Sequence, residues 1–93
     1  VTAHHAYMLG FVNEVVPDKE LQETTERWAK EILACAPLSV RASKQIATES
    51  MGKPLAKALS TSYSELDKAL TSRDYQEGPR AFSEKRVPKW QSV

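Results

Sequence analysis

Glycine is nearly absent from this chain, with three residues in 93, at Gly10, Gly52 and Gly78. Glycines so few and so far apart cannot build either common phosphate-cradling loop, which groups two or three of them ahead of a helix. Cysteine occurs once, so Cys35 closes no disulfide within the chain, and a reducing compartment such as the cytoplasm is expected. Neither sign of charge dominates: 13 Lys and Arg stand against 12 Asp and Glu, for a formal net charge of +1. That balance argues against a dedicated nucleic-acid or membrane-surface protein. No apolar run approaches the length needed to cross a bilayer, and no signal peptide is visible. The chain opens on Val1 instead of methionine, which reads as a processed or cut chain.

Catalytic patterns are missing as well. His4 and His5 are adjacent, so on a helix they point about 100° apart and cannot bind one metal together. No Ser/His/Asp or Cys/His arrangement and no isolated carboxylate pair stands out. Cys35, with no histidine near it in sequence, reads as a buried small hydrophobe at the end of an apolar stripe, not as a nucleophile.

Apolar residues make up 41% of the chain and charged residues 27%, which fits one small globular domain with a thin core. Thr2 to Gly10 reads as a short helix, capped by Thr2 and stopped by Gly10. Phe11 to Val16 is rich in β-branched residues and is the one strand signal, yet nothing downstream offers it a partner. Asp18 caps a helix to about Cys35, with Leu21, Trp28, Ile32 and Cys35 on one stripe. The opposite face of that helix carries the i, i+4 pairs Lys19–Glu23, Glu23–Arg27, Glu26–Lys30 and Arg27–Glu31.

Pro37 opens the next helix, which has two apolar rows: Leu38, Ala42 and Ile46, then Val40, Ala47 and Met51. Gly52 stops it, and Pro54 restarts the chain as a helix to about Thr71 striped by Leu55, Leu59, Leu66 and Leu70. Ser72 caps a terminal helix that is expected to break or kink at Gly78-Pro79 and to end at Val87-Pro88. The expected fold is therefore mostly α, with four to six helices and one short N-terminal strand.

If the piece after Pro79 is helical, Phe82, Lys85 and Arg86 fall at i, i+3 and i+4 and share one face. A flat ring beside two cations suits a ligand that has both an aromatic ring and phosphates. The competing reading is a Phe anchored in the core, with Lys and Arg placed to favour a helix C-terminus.

Three blocks resemble, in order and spacing, the C-terminal third of the enoyl-CoA hydratase/isomerase (crotonase) superfamily. They are Thr2-Ala…Leu9-Gly-Phe-Val-Asn-Glu-Val-Val-Pro17, Ala36-Pro-Leu-Ser-Val-Arg-Ala-Ser-Lys44 and Glu77-Gly-Pro-Arg-Ala-Phe-Ser-Glu-Lys-Arg-Val-Pro-Lys-Trp90. The resemblance implies a parent with the α/β spiral core, residues 1–16 closing that core and residues 17–93 forming a helical lid and oligomerisation region. It implies an acyl-CoA thioester as substrate, no cofactor beyond the coenzyme A of that substrate, and a homo-trimer or hexamer. Phe82 would pack near the adenine and Lys85 would approach the phosphates.

The resemblance assigns no catalytic residue to this stretch. The backbone oxyanion hole and the proton-handling carboxylates of such enzymes lie earlier in the chain. Gly78-Pro79 is similar to the carnitinyl-CoA dehydratase-like branch, whereas the ending Gln91-Ser-Val93 departs from the Gly-Arg often found there. An alternative reading is a non-enzymatic, self-associating helical module that uses its exposed stripes for binding. RNA binding through Arg80, Lys85, Arg86 and Lys89 ranks third, since those cations sit among Glu77 and Glu84.

Overall fold

Thr2 starts the first helix as its sequence suggests: its Oγ1 accepts the His5 N–H at 3.1 Å. The computed structural model describes residues 1–93. Six α-helices follow in order: α1 (Ala3–Met8), α2 (Leu21–Ala34), α3 (Pro37–Ser50), α4 (Leu55–Ser60), α5 (Ser64–Thr71) and α6 (Arg73–Ser83). The chain divides into two units, Val1–Glu31 and Ile32–Val93, with the boundary inside α2. No helix is long and apolar enough to cross a membrane.

In the first unit α1 is stopped, just past its C-cap Leu9, by Gly10, whose φ of +77° is open to glycine without steric penalty. The N–H groups of Gly10 and Phe11 donate back to Tyr7 O and Ala6 O, closing a Schellman motif. Residues 11–16 then form no strand, which corrects the expectation of one. A strand exists only through ladder bonds to a neighbour, and the chain supplies none. What ties this segment down is a side chain: Glu14 accepts from Trp28 Nε1 at 2.9 Å and from the Arg27 guanidinium. The Trp28 hydrogen bond, ahead of Arg27, lowers the Glu14 pKa.

Asp18 does not cap α2. It opens a 3₁₀ turn over Asp18–Glu20, in which the Glu20 N–H donates to Pro17 O at 2.8 Å. Of the anticipated surface pairs, Arg27–Glu31 closes at 3.1 Å, while Lys19 lies beside Glu20 at 4.0 Å. The expected stripe on α2 finds no cover, since Leu21 and Ile32 are exposed and Trp28 only slightly less so. Cys35 is exposed too, contrary to the buried position expected, because it lies beyond the helix end on that uncovered stripe.

The second unit holds the core. Leu38 and Ala42 of α3 pack against Ala69 of α5, with Leu66 beside them. The first apolar row of α3 is thus the buried one, and Met51 at the end of the second is exposed. The single helix expected from Pro54 to Thr71 is two helices, broken at residues 61–63. Its Ser60-Thr61-Ser62 run explains the break, because hydroxyls near the backbone compete with helical hydrogen bonds. Ser60 and Thr61 both donate to Lys57 O, at 3.2 and 2.7 Å, and Ser62 donates to Asp67 Oδ2 at 2.9 Å. Tyr63 fills the break, buried, with its hydroxyl donating to Ala58 O at 2.9 Å. The break also divides the leucine stripe, leaving Leu55 and Leu59 exposed on α4.

Candidate functional site

Ser72 begins α6 as anticipated, its Oγ accepting the Tyr75 N–H at 3.2 Å. The helix then runs through Pro79 without a break, which corrects the expectation of one at Gly78-Pro79. Much of the penalty on a helical residue before proline comes from its Cβ meeting the proline Cδ. Gly78 has no Cβ, so the pair Gly-Pro stays in the helix where another residue before Pro79 would resist it.

The helix stops at Ser83, and Glu84 is its C-cap. Lys85 and Arg86 therefore do not continue a helical face with Phe82, and the shared-face geometry expected for the three fails. Lys85 adopts φ +52°, the left-handed region, and its N–H donates to Phe82 O at 3.2 Å. The Arg86 N–H donates to Ala81 O at 3.0 Å. These two bonds make a Schellman motif like that after α1, with lysine where α1 has glycine.

Phe82 stands at the end of this helix and is 88% exposed, so the core of this chain does not anchor it. Lys85 at the corner is exposed and joins no ion pair. Arg86 does not join them: it turns back along α6. Its Nη1 and Nη2 donate to the two Glu77 carboxylate oxygens at 2.6 and 3.0 Å, and its Nε donates to Glu84 at 2.5 Å. Arg80 also holds Glu84, through Nε at 2.8 Å. Glu77 further accepts the backbone N–H of Lys89 at 2.7 Å. Arg86, followed by the Lys89 N–H, lowers the Glu77 pKa from 4.5 to about 2. Arg80 and then Arg86 lower that of Glu84, and the same contacts raise both arginines.

Beyond the corner the chain returns along α6. Asp74, buried, accepts the backbone N–H groups of Gln91 and Ser92 at 2.7 and 2.9 Å. The Arg73 N–H donates to Val93 O at 2.6 Å, and Trp90 Nε1 donates to Ala34 O at 3.0 Å. An open cleft of about 500 Å³ lies between the helix and this returning segment, with Arg73, Arg80 and Lys89 on its walls beside the engaged carboxylates.

Sequence spacing brought out Phe82 and Lys85, which sit at one corner, but missed Glu77 and Asp74 as anchors. Their only signal was two carboxylates at i, i+3, about one turn apart on the helix. No group of His, Cys, Asp and Glu is placed to hold a metal ion. The corner can offer a ring and a cation to a ligand; it holds no nucleophile and no isolated acid–base pair.

The family model for enoyl-CoA hydratase/isomerase matches residues 1–93. A carnitinyl-CoA dehydratase of Salmonella typhi is 35% identical over 94 residues, covering 97% of this chain and 36% of its own length. An enoyl-CoA hydratase/isomerase of Mycobacterium paratuberculosis superposes with a TM-score of 0.90 at 35% identity, over 99% of this chain and 36% of that one. For an enoyl-CoA hydratase of Mycobacterium tuberculosis H37Rv the TM-score is 0.88 at 34% identity, over 98% and 36%. This chain thus spans about a third of the length of these relatives, and its helical architecture is the one they have in that part. Sequence match and superposition run the length of the chain and agree, so it belongs to the enoyl-CoA hydratase/isomerase family.

Proposed function

We propose that these residues are the C-terminal part of an acyl-CoA-processing enzyme of crotonase type, acting as an enoyl-CoA hydratase, dehydratase or isomerase. Their contribution is a coenzyme A contact and subunit assembly, with no catalytic group among them. Residues 1–16 would close the enzyme core, and residues 17–93 would form the lid and oligomer contacts of a trimer or hexamer. The cytoplasm is the compartment that fits the lone thiol.

The observation that carries the reading is the corner itself. Phe82 is 88% exposed at the end of α6, and Lys85, three residues on, is free of any ion pair. A water-exposed ring gains by stacking on another flat ring, and an unpaired ammonium gains by meeting phosphate. Adenosine phosphates offer both.

Titration calorimetry of the intact enzyme with coenzyme A tests this. Phe82→Ala and Lys85→Ala should each weaken binding by about tenfold, as expected for loss of one stacking or one charge-assisted contact. Unchanged affinity in both variants would favour the second reading, a self-associating helical module. That reading draws on the exposed Met51, Leu55 and Leu59 near the start of α4.

A further inference from the structure

We infer that Glu77 is a positioning residue for the Phe82–Lys85 corner, a role that rests on reading that corner as the coenzyme A contact. Lys85 is held at φ +52°, a conformation that L side chains resist, so the turn needs support beyond its own helix. The Schellman bonds to Ala81 O and Phe82 O secure the corner from the helix side only. On the far side, the one acceptor that reaches both the next residue and the chain beyond it is Glu77. Its oxygens take Arg86 through two nitrogens, at 2.6 and 3.0 Å, and the Lys89 N–H at 2.7 Å.

An isolated surface ion pair contributes little, because solvent screens it and two long side chains must be ordered to make it. Here the geometry differs on three counts. The contact is bidentate, it is shared with a backbone N–H, and Arg86 is also bound by Glu84 at 2.5 Å. Planar, multiply bonded guanidinium is a fixed strut, and it starts one residue after Lys85.

Asp74, one turn earlier on α6, is a built-in comparison. It holds the same returning segment further on, by the Gln91 and Ser92 N–H groups, and touches nothing at the corner. Glu77 thus governs residues 85–89, and Asp74 governs residues 91–92.

Amide hydrogen exchange and coenzyme A binding, both on the intact protein, test the assignment. Glu77→Gln should speed exchange at Lys85, Arg86 and Lys89 by about tenfold, the loss of one charge-assisted anchor. Gln91 and Ser92 should keep their rates, and Asp74→Asn should show the opposite pattern. Arg86→Lys, which keeps the charge but loses the fork, should behave like Glu77→Gln. Binding of coenzyme A against 3′-dephospho-coenzyme A then reads the position of the Lys85 ammonium. Glu77→Gln should lower that discrimination toward the Lys85→Ala value, a change that a role in stability alone would not produce. Unchanged exchange at residues 85–89 would overturn the inference. So would faster exchange with discrimination intact while Lys85→Ala loses it. Faster exchange with no effect of Lys85→Ala or Phe82→Ala on binding would instead overturn the coenzyme A reading, and the ligand role of Glu77 with it.

Discussion

The indole ring of Trp90 lies over Gly78, 3.6 Å from where a Cβ on that glycine would stand. That is ordinary contact distance, so the ring does not by itself exclude an alanine there. The constraint comes along the chain, from Pro79 inside α6. It matters because this helix carries the corner, and Trp90 ties the returning segment to Ala34 O.

Gly78→Ala should therefore have opposite effects in two backgrounds. With Pro79→Ala also present, alanine should stabilise the helix by about 1 kcal/mol through propensity. With Pro79 in place, the new Cβ meets the proline ring, and the gain should vanish or reverse. Chemical denaturation of the four variants closes the cycle. Strict additivity would mean that Gly78 is there for some reason other than its proline.

Lys85 supports a second prediction. Relieving a left-handed non-glycine residue recovers about 1 kcal/mol, so Lys85→Gly should raise the unfolding temperature. Lys85→Ala keeps the strained backbone and should not. If Lys85 meets phosphate, both variants should lose coenzyme A affinity alike. Stability and binding would then move in opposite directions in the glycine variant, which calorimetry of unfolding and of binding can read on one sample.

The comparison of Gly10 with Lys85 also shows what the sequence made legible. Both residues end a helix by the same pair of backbone bonds, yet only the glycine announces its turn. Lysine carries no such signal, so the sequence places the helix end at Val87-Pro88, beyond the observed last residue Ser83, and sets Arg86 on the ligand face. Pro79 misled in the other direction: its helix-breaking tendency was legible, but the relief supplied by Gly78 acts only through the pair. The break at residues 61–63 had a local signal in its three hydroxyl residues, overridden in the reading by the leucine periodicity. Capping by Thr2 and Ser72 and the apolar row Leu38–Ala42 followed from local rules, whereas the β-branched run at 11–16 signalled a strand that has no partner in the chain. Glu77 and Asp74 could not be found that way, because their partners arrive from a chain reversal that no periodicity encodes.

Acid should weaken the hold of Glu77 on the corner. Glu77 titrates at about 2 instead of 4.5 because Arg86 and the Lys89 N–H bind its charged form. A carboxyl whose pKa is lowered by folding adds stability that is complete above 4.5 and is lost as the pH falls toward 2. Stability measured across that range should fall more steeply in the unaltered protein than in Glu77→Gln. Parallel curves would show that the contact does not persist in solution. Salt at neutral pH should shrink the same difference, since the Glu77–Arg86 pair is only partly buried.

The last prediction concerns α5, whose N-terminus is capped from another helix. Tyr63 occupies its N-cap position but makes no capping bond with its side chain. Gln45 of α3 does that work instead, its Oε1 accepting the Glu65 N–H at 2.8 Å while its Nε2 donates to Ser64 Oγ at 3.2 Å and Glu49 Oε1 at 2.9 Å. The bond therefore joins the two helices that build the core, as well as satisfying an orphan donor. Gln45→Ala should destabilise the protein by about 1 kcal/mol, the usual loss for an N-cap, and should speed exchange of the Glu65 amide first. Gln45→Glu separates this acceptor bond from the donor bonds of the same side chain. It keeps an acceptor at the positive end of α5, which the helix dipole favours, but it removes the donor to Glu49 and sets two like charges at i, i+4. It should protect the Glu65 amide while still lowering stability. Recovery of full stability in Gln45→Glu would mean that the acceptor bond to the Glu65 N–H, and not the donor bonds to Ser64 and Glu49, is what Gln45 provides.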